Sequence, residues 1–379
     1  NSAQKERRKS KKKTLKGILM GCMAVVGLLI AEPQETKAVT TSDVYWSGST
    51  AYVATQAGLN EACNRNMTAD IYLLNDITLE KKDRPYGTNY PTGISVYGVK
   101  TLHGNGHTIK NGIRTDDSDA NANVKENGAP VFNVANTLTL ENVVINGGNS
   151  KYRSAIVVNF GGTVNVKSGT YITGCKSWDC GSGTRGGHGI WCREGGVINV
   201  YDGSIYGNEQ SGIGSSGGTV SVAGGNIYNN GNNGISSYGT LYFHGGTINQ
   251  NANCGIYVGD GRAYINGGLI AGTRSEASAG IGIQKGDVVM NGGTVNNLSQ
   301  TGVYLLNGNG TFTMNAGEIY SNAACGITAN GGTVTINNGR IHDNMVFLLP
   351  QTLRWRAVLR VRRSATTAGM ELFLLQLLT

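Results

Sequence analysis

One stretch of this chain gathers side chains able to bind or transform a ligand. It runs Cys175-Lys176-Ser177-Trp178-Asp179-Cys180, then a Gly- and Ser-rich passage, then Arg185-Gly186-Gly187-His188-Gly189-Ile190-Trp191-Cys192-Arg193-Glu194. Indole rings offer flat apolar faces, and carboxylates and guanidinium groups bond hydroxyls. Trp178 and Trp191, with Asp179, Arg185, His188, Arg193 and Glu194, form a candidate glycan-binding set. Tyr206, Tyr228 and Tyr320, each following an inward Ile, are expected to be exposed and could extend that surface. The plainer alternative is that these aromatics simply cover the outer wall of the fold. Asp116-Asp117-Ser118-Asp119 is the one dense acidic run. Such carboxylates can hold Ca²⁺, but this run reads as a solvated loop. No Cys-x-x-Cys occurs, so zinc spacing is absent. With no Ser/His/Asp set and no phosphate loop either, the sequence implies no metal and no cofactor.

The elements that hold these residues are repeats. Gly followed by Ile or Val recurs at Gly189, Gly212, Gly234, Gly255, Gly280, Gly302 and Gly326, in steps of 23, 22, 21, 25, 22 and 24 residues. An alternating run follows each anchor, as in Thr219-Val220-Ser221-Val222. Then come a Gly-rich turn and one more aliphatic residue, as in Gly224-Gly225-Asn226-Ile227. Three short period-2 segments per unit leave no room for a helix. Such a strand cannot bury its apolar side alone, but stacked units can. The predicted fold is all-β: a parallel β-helix of about 22 residues per coil with three short strands each, its corners turned by Gly. Asn208, Asn230, Asn251, Asn322 and Asn344 each fall three residues after the third-strand aliphatic. That fixed offset predicts a hydrogen-bonded Asn ladder along the axis, with Thr273 and Leu298 in the intervening coils. Between Gly169 and Gly203 the turn glycines step by 34 residues. The candidate site is therefore an insertion, where solenoids usually carry function.

Earlier segments are less regular but still read as coils: Thr92–Val96, Thr101–Ile109 and Leu138–Ile145. Ala54–Ala62 is predicted as a short amphipathic helix that caps the open end ahead of a first strand at Ile71–Leu74.

Leu102-His103-Gly104-Asn105-Gly106-His107-Thr108-Ile109, the Leu138–Ile145 run and the Gly-Ile coils resemble the right-handed parallel β-helix group. That group includes pectate lyases, polygalacturonases and bacterial adhesin-like surface proteins. The resemblance spans about residues 50–344 and implies a right-handed coil. Gly187-His188-Gly189 is similar to a polygalacturonase motif, but Val164–Gly169, one coil earlier, holds no acid and no Arg-x-Lys follows. The function expected is therefore an exported, non-catalytic, adhesin-like or glycan-binding scaffold. The alternative is a polysaccharide lyase or glycoside hydrolase acting on acidic polysaccharide.

The net charge of +8 invites a nucleic-acid partner, but the charge sits at the two ends. Residues 1–16 sum to +7 and residues 345–379 to +4, which leaves −3 for 17–344. The basic start, the apolar run Gly17–Ala31 and Thr36-Lys37-Ala38 have the order of a secretory signal over residues 1–38. Residues 39–69 are then the N-terminal cap and 70–344 the β-helix. The expected location is secreted or cell-surface, facing an extracellular glycan or a host or matrix surface. No nucleic acid is expected, and no membrane after signal removal. Export permits disulfides, and Cys192 with Cys175 or Cys180 would pin the insertion; free buried thiols are the alternative.

The coil grammar stops at Asn344. Read one nucleotide out of frame, Met345-Val346 and Met370-Glu371 must each encode Gly, and permissive codons restore Gly-Ile and Gly-Gly-Thr. Residues 345–379 are therefore expected to be an aberrant, frameshifted tail, with further coils and a wall-anchoring module lost.

Overall fold

A computed structural model describes residues 44–79, 93–112, 129–148, 154–179, 184–275, 279–306 and 309–345, with the strands Val358–Val361 and Gln376–Leu377. These lie in the unit Ser42–Thr379. Of Trp178, Asp179, Thr184 and Arg185 it describes the backbone alone. The expected signal segment and Asp116–Asp119 lie outside the described residues.

The chain winds into a parallel β-solenoid of about ten turns, three strands and about 24 residues to a turn. Sheet I has 14 strands, and sheets II and III have 11 each. The chain passes sheet III, sheet I and sheet II in turn. The strand triplets Ile213–Ser215, Thr219–Val222 and Asn226–Tyr228 make up one coil.

Alternation decides what faces inward. In sheet II the central aliphatics stack in strict register: Ile77, Ile109, Ile145, Ile172, Ile205, Ile227, Ile248, Ile270, Val295, Ile319 and Ile341. In sheet III Ile156 and the residues after the Gly anchors do the same, through Ile190, Ile213 and Ile235 to Ile256. Nearly all of these are fully buried, each contributing roughly 1.5–3 kcal/mol.

The turn glycines are needed twice over. Gly225 has φ +79, and a Cβ on it would sit 2.6 Å from the Gly203 carbonyl oxygen of the coil before. The corner from sheet II to sheet III departs in part from the expectation of Gly. Gly174, Gly207 and Gly272 keep it, but elsewhere the left-handed position is held by the non-glycine residues Asn229, Gln250, Asn297, Ser321 and Asp343, with φ between +51 and +53. Asn and Asp tolerate this conformation, and every one of these non-glycine residues directly precedes an inward Asn or Leu.

Those inward residues form the Asn ladder. Asn208 Nδ2 donates to Asn230 Oδ1 at 3.1 Å, Asn230 Nδ2 to Asn251 Oδ1 at 3.0 Å, and Asn322 Nδ2 to Asn344 Oδ1 at 2.8 Å. Between the two runs Leu298 breaks the side-chain chain, and its backbone N–H donates to Asn322 Oδ1. A second, exposed ladder escaped the sequence reading. Asn266 contacts His244 at 3.2 Å, then Asn291, Asn315 and Asn337 follow at 2.9, 2.9 and 2.8 Å. Its members sit directly before the Gly-rich turns, a position that looked like turn chemistry alone.

The N-terminal end differs from the sequence reading. The helix spans Gln56–Asn64, with Thr55 Oγ1 accepting from Gly58 N–H. It follows two strands instead of preceding the first: Tyr45–Ser47 lies antiparallel to Thr50–Val53, which pairs parallel with Asp70–Leu73. Thr50–Val53 alternates as a coil strand does, with Ala51 and Val53 buried. The helix thus replaces the sheet II and sheet III strands of its turn. Its buried Leu59, Ala62 and Cys63 join the core. Inside this end lies Lys100, fully buried. Its Nζ donates to the carbonyls of Arg65 and Thr68 at 2.8 and 2.7 Å, and burial lowers its pKa.

At the other end, Val358–Val361 joins sheet I and Gln376–Leu377 joins sheet III. That order is out of phase with the coils, since after Arg340–His342 in sheet II the next strand should enter sheet III.

The two ladders should differ in energetic weight. Asn230→Ala strands several buried polar groups and is expected to cost on the order of 3 kcal/mol. Asn291→Ala, on the surface, is expected to cost about 0.5 kcal/mol or less. Thermal unfolding of the two variants, followed by circular dichroism, checks the contrast.

Candidate functional site

The inserted residues form an antiparallel hairpin. Ser177–Asp179 pairs with Thr184–Gly186, in the register Ser177 to Gly186, Trp178 to Arg185 and Asp179 to Thr184. It leaves the solenoid where sheet II hands over to sheet III. One carboxylate of the next coil holds its base. Glu209 Oε2 accepts from Ser177 N–H at 2.6 Å and Ser177 Oγ at 3.0 Å, with Lys176 Nζ 3.8 Å from Oε1. Gln210 N–H donates to the Gly187 carbonyl at 2.9 Å. Glu209 was not singled out in the sequence, where nothing marks it as the neighbour of residue 177.

Beyond the hairpin the chain enters sheet III through His188, and Trp191 is the outward residue of the strand Ile190–Cys192. Their ring centroids lie 4.9 Å apart. His188 is half-buried, and its Nδ1 is shielded from solvent and has no partner. Burial pushes the imidazole down to about 4, opposed by a hydrogen bond to the Ser211 backbone. Among the described residues no carboxylate pairs with His188.

Trp178, Asp179 and Arg185 ride on the hairpin, and His188 and Trp191 meet on sheet III. Arg193 and Glu194 are exposed at the far corner, where sheet III hands over to sheet I. Residues 189 and 193, at the two ends of that strand, stand about 13 Å apart.

Tyr206, Tyr228 and Tyr320 are half-buried. Tyr206 stacks on Tyr228 at 5.0 Å, and Tyr320 on His342 at 5.1 Å, so much of their ring faces is covered by one another. That corrects their reading as an exposed extension of the binding surface. The disulfide alternative also closes for two of its members. Cys175 and Cys192 are free and buried, and burial pushes both thiols up to about 12. Cys180 lies outside the described residues.

A second polar cluster was missed. On the outer face of sheet I, His103 stacks on Tyr72 at 4.3 Å. Asp70 Oδ1 lies 3.1 Å from its Nε2 and Glu141 Oε2 3.2 Å from its Nδ1. Lys167 closes the row on Glu141. These residues are 26 to 38 apart in sequence, and only the coil register aligns them. Among the described residues no group of three or more His, Cys, Asp or Glu could hold a metal ion, and no helix is long and apolar enough to cross a membrane.

His188 makes stability pH-dependent. The unfolded chain takes up the proton below about pH 6.5, while the folded imidazole resists it down to about 4. Stability is therefore expected to fall by on the order of 3 kcal/mol as pH drops through that window. His188→Phe should flatten this slope in urea titrations run from pH 7 to 4. Separately, Glu209→Ala should raise hydrogen exchange at Ser177 and Gly186 and leave the Asn-ladder amides protected.

Comparison with known proteins adds one finding. Residues 50–173 match the family model of a pectate lyase-like adhesive domain. No curated protein and no solved structure matches the chain. The coiled fold and this match together make the chain a parallel β-solenoid similar, over residues 50–173, to pectate lyase-like adhesive domains.

Proposed function

We propose that the protein is a secreted or surface-exposed adhesin-like scaffold that binds an extracellular glycan without catalysis. The observation that carries this is the hairpin Ser177–Gly186, an insertion at the corner between sheets II and III, held by Glu209 and leading into the strand of Trp191. Loops set on a rigid frame are the usual place for recognition. The match to an adhesive domain supports the same reading. His188 then helps to seat Trp191 and carries no proton in a reaction.

A lyase or hydrolase is the second reading, and the Asp70–His103–Glu141 row is what favours it. There two carboxylates flank one ring on the outer face of sheet I. The imidazole fills the space between them, where a hydrolase would need to admit sugar and water.

A glycan array probed with the full chain tests the proposal. Binding to a defined set of glycans is expected, weakened at least tenfold by Trp191→Ala with unchanged circular dichroism. Release of unsaturated or reducing ends from polygalacturonate, lost in His103→Ala, would replace the adhesive reading with the enzymatic one.

A further inference from the structure

Beyond the hairpin, the outer face of sheet III carries a second set of ligand-binding groups. In successive coils its outward column reads Trp191, Gly214, Ser236, Tyr257. Trp191 and Tyr257 therefore stand about 14 Å apart along the axis, with only a hydrogen and a hydroxymethyl group at the positions between. Trp191 and His188 lean over Gly214. A Cβ there would meet Trp191 Cε3 at 2.6 Å and His188 Nδ1 at 2.9 Å. Tyr257 leans away toward Gly282, and its hydroxyl donates to Gln284. Half-buried Ser236 is thus the floor of a notch between two aromatic walls.

One side of the notch is polar and uncharged. On the corner leading into the same three coils lie Gln210, Asn232 and Asn253. Asn232 Nδ2 donates to Gln210 Oε1 at 3.0 Å, and Asn253 Nδ2 lies 3.3 Å from Asn232 Oδ1. Each amide has two N–H groups and two lone pairs, so the row retains capacity for ligand hydroxyls. On the opposite corner Tyr238, 47% exposed, tilts against Tyr257 at 6.1 Å. Beside the notch two shielded polar atoms lack partners: His188 Nδ1, aimed over Gly214, and Ser211 Oγ.

We propose that this notch binds a neutral, linear glycan laid along the solenoid axis, its sugar rings against Trp191 and Tyr257 and its hydroxyls on the Gln210–Asn232–Asn253 row. Rings and amides at coil spacing suit a repeating chain of hydroxyl-bearing rings. Arg193 and Glu194, on the corner beyond Trp191, are of opposite sign, so an acidic polysaccharide would meet no net charge there and its loss of hydration would go uncompensated. This assignment rests on the adhesive reading and gives it a ligand class.

The test uses the full chain in affinity electrophoresis through gels containing soluble β-1,4-glucan, xylan, galactomannan or polygalacturonate. Retardation by at least one neutral polysaccharide and none by polygalacturonate is expected. Ser236→Trp, which fills the notch from the outer face, should weaken retardation at least tenfold. Asn232→Ala, a milder surface change, should weaken it several-fold with the melting temperature unchanged, and it decides the matter if Ser236→Trp folds poorly. Trp178→Ala should leave it intact. Retardation by polygalacturonate alone would overturn the notch and keep the adhesive function. Loss in Trp178→Ala with full retention in Ser236→Trp and Asn232→Ala would place the ligand on the hairpin and overturn the notch as well. Retardation by none of the four polymers overturns the notch; the adhesive reading falls too only if the glycan array is also blank.

Discussion

No coil of this protein has an interior of its own. A three-residue strand buries its one inward side chain only because the coils above and below present the same shape at the same height. The Ile column of sheet II is that dependence in its barest form, each methyl group resting on its equivalent about 4.8 Å away. The backbone obeys the same rule, since outside the two antiparallel hairpins each strand's hydrogen-bonding partner lies one turn away. The inward Asn residues extend it to the corners, where each amide bonds both the side chain and the backbone of its neighbour.

This dependence leaves chemistry few places to go. An inward position must match its neighbours, and a corner with φ > 0 and a close carbonyl admits only Gly. Outward strand positions and loop insertions remain. The hairpin uses the second freedom and is fastened to the wall by one carboxylate. The notch around Ser236 uses the first, because an outward residue is free to be small without disturbing the core. The His103 row shows a third effect: register brings together groups far apart in sequence, whether or not they share a task.

The period-2 runs and the Gly-Ile spacing made the coils legible, and the fixed offset of Asn208, Asn230 and Asn251 made their ladder legible, because stacking forces repetition. What did not repeat was harder to read. Thr50–Val53 lacks a Gly anchor and passed for a part of the cap. Lys100 occupies an inward position where the pattern calls for an aliphatic residue, and its partners are backbone carbonyls that carry no sequence signal. Glu209 looks like any surface acid until the next coil sets it under Ser177. The insertion was visible from the 34-residue step, but the separation of Arg193 and Glu194 from the hairpin follows from the strand between them.

Lys100 also gives the solenoid a direction. Beyond it the inward rungs are nearly interchangeable, so a coil copied or deleted there meets Ile with Ile and leaves both neighbours content. Lys100 faces Leu138 on one side and the carbonyls behind the helix on the other. A duplicated coil inserted between it and the helix would leave an ammonium without acceptors inside an aliphatic stack. Gene duplication can therefore lengthen or shorten this protein downstream of the buried lysine, while the helix and the coil that carries Lys100 must be inherited as one block.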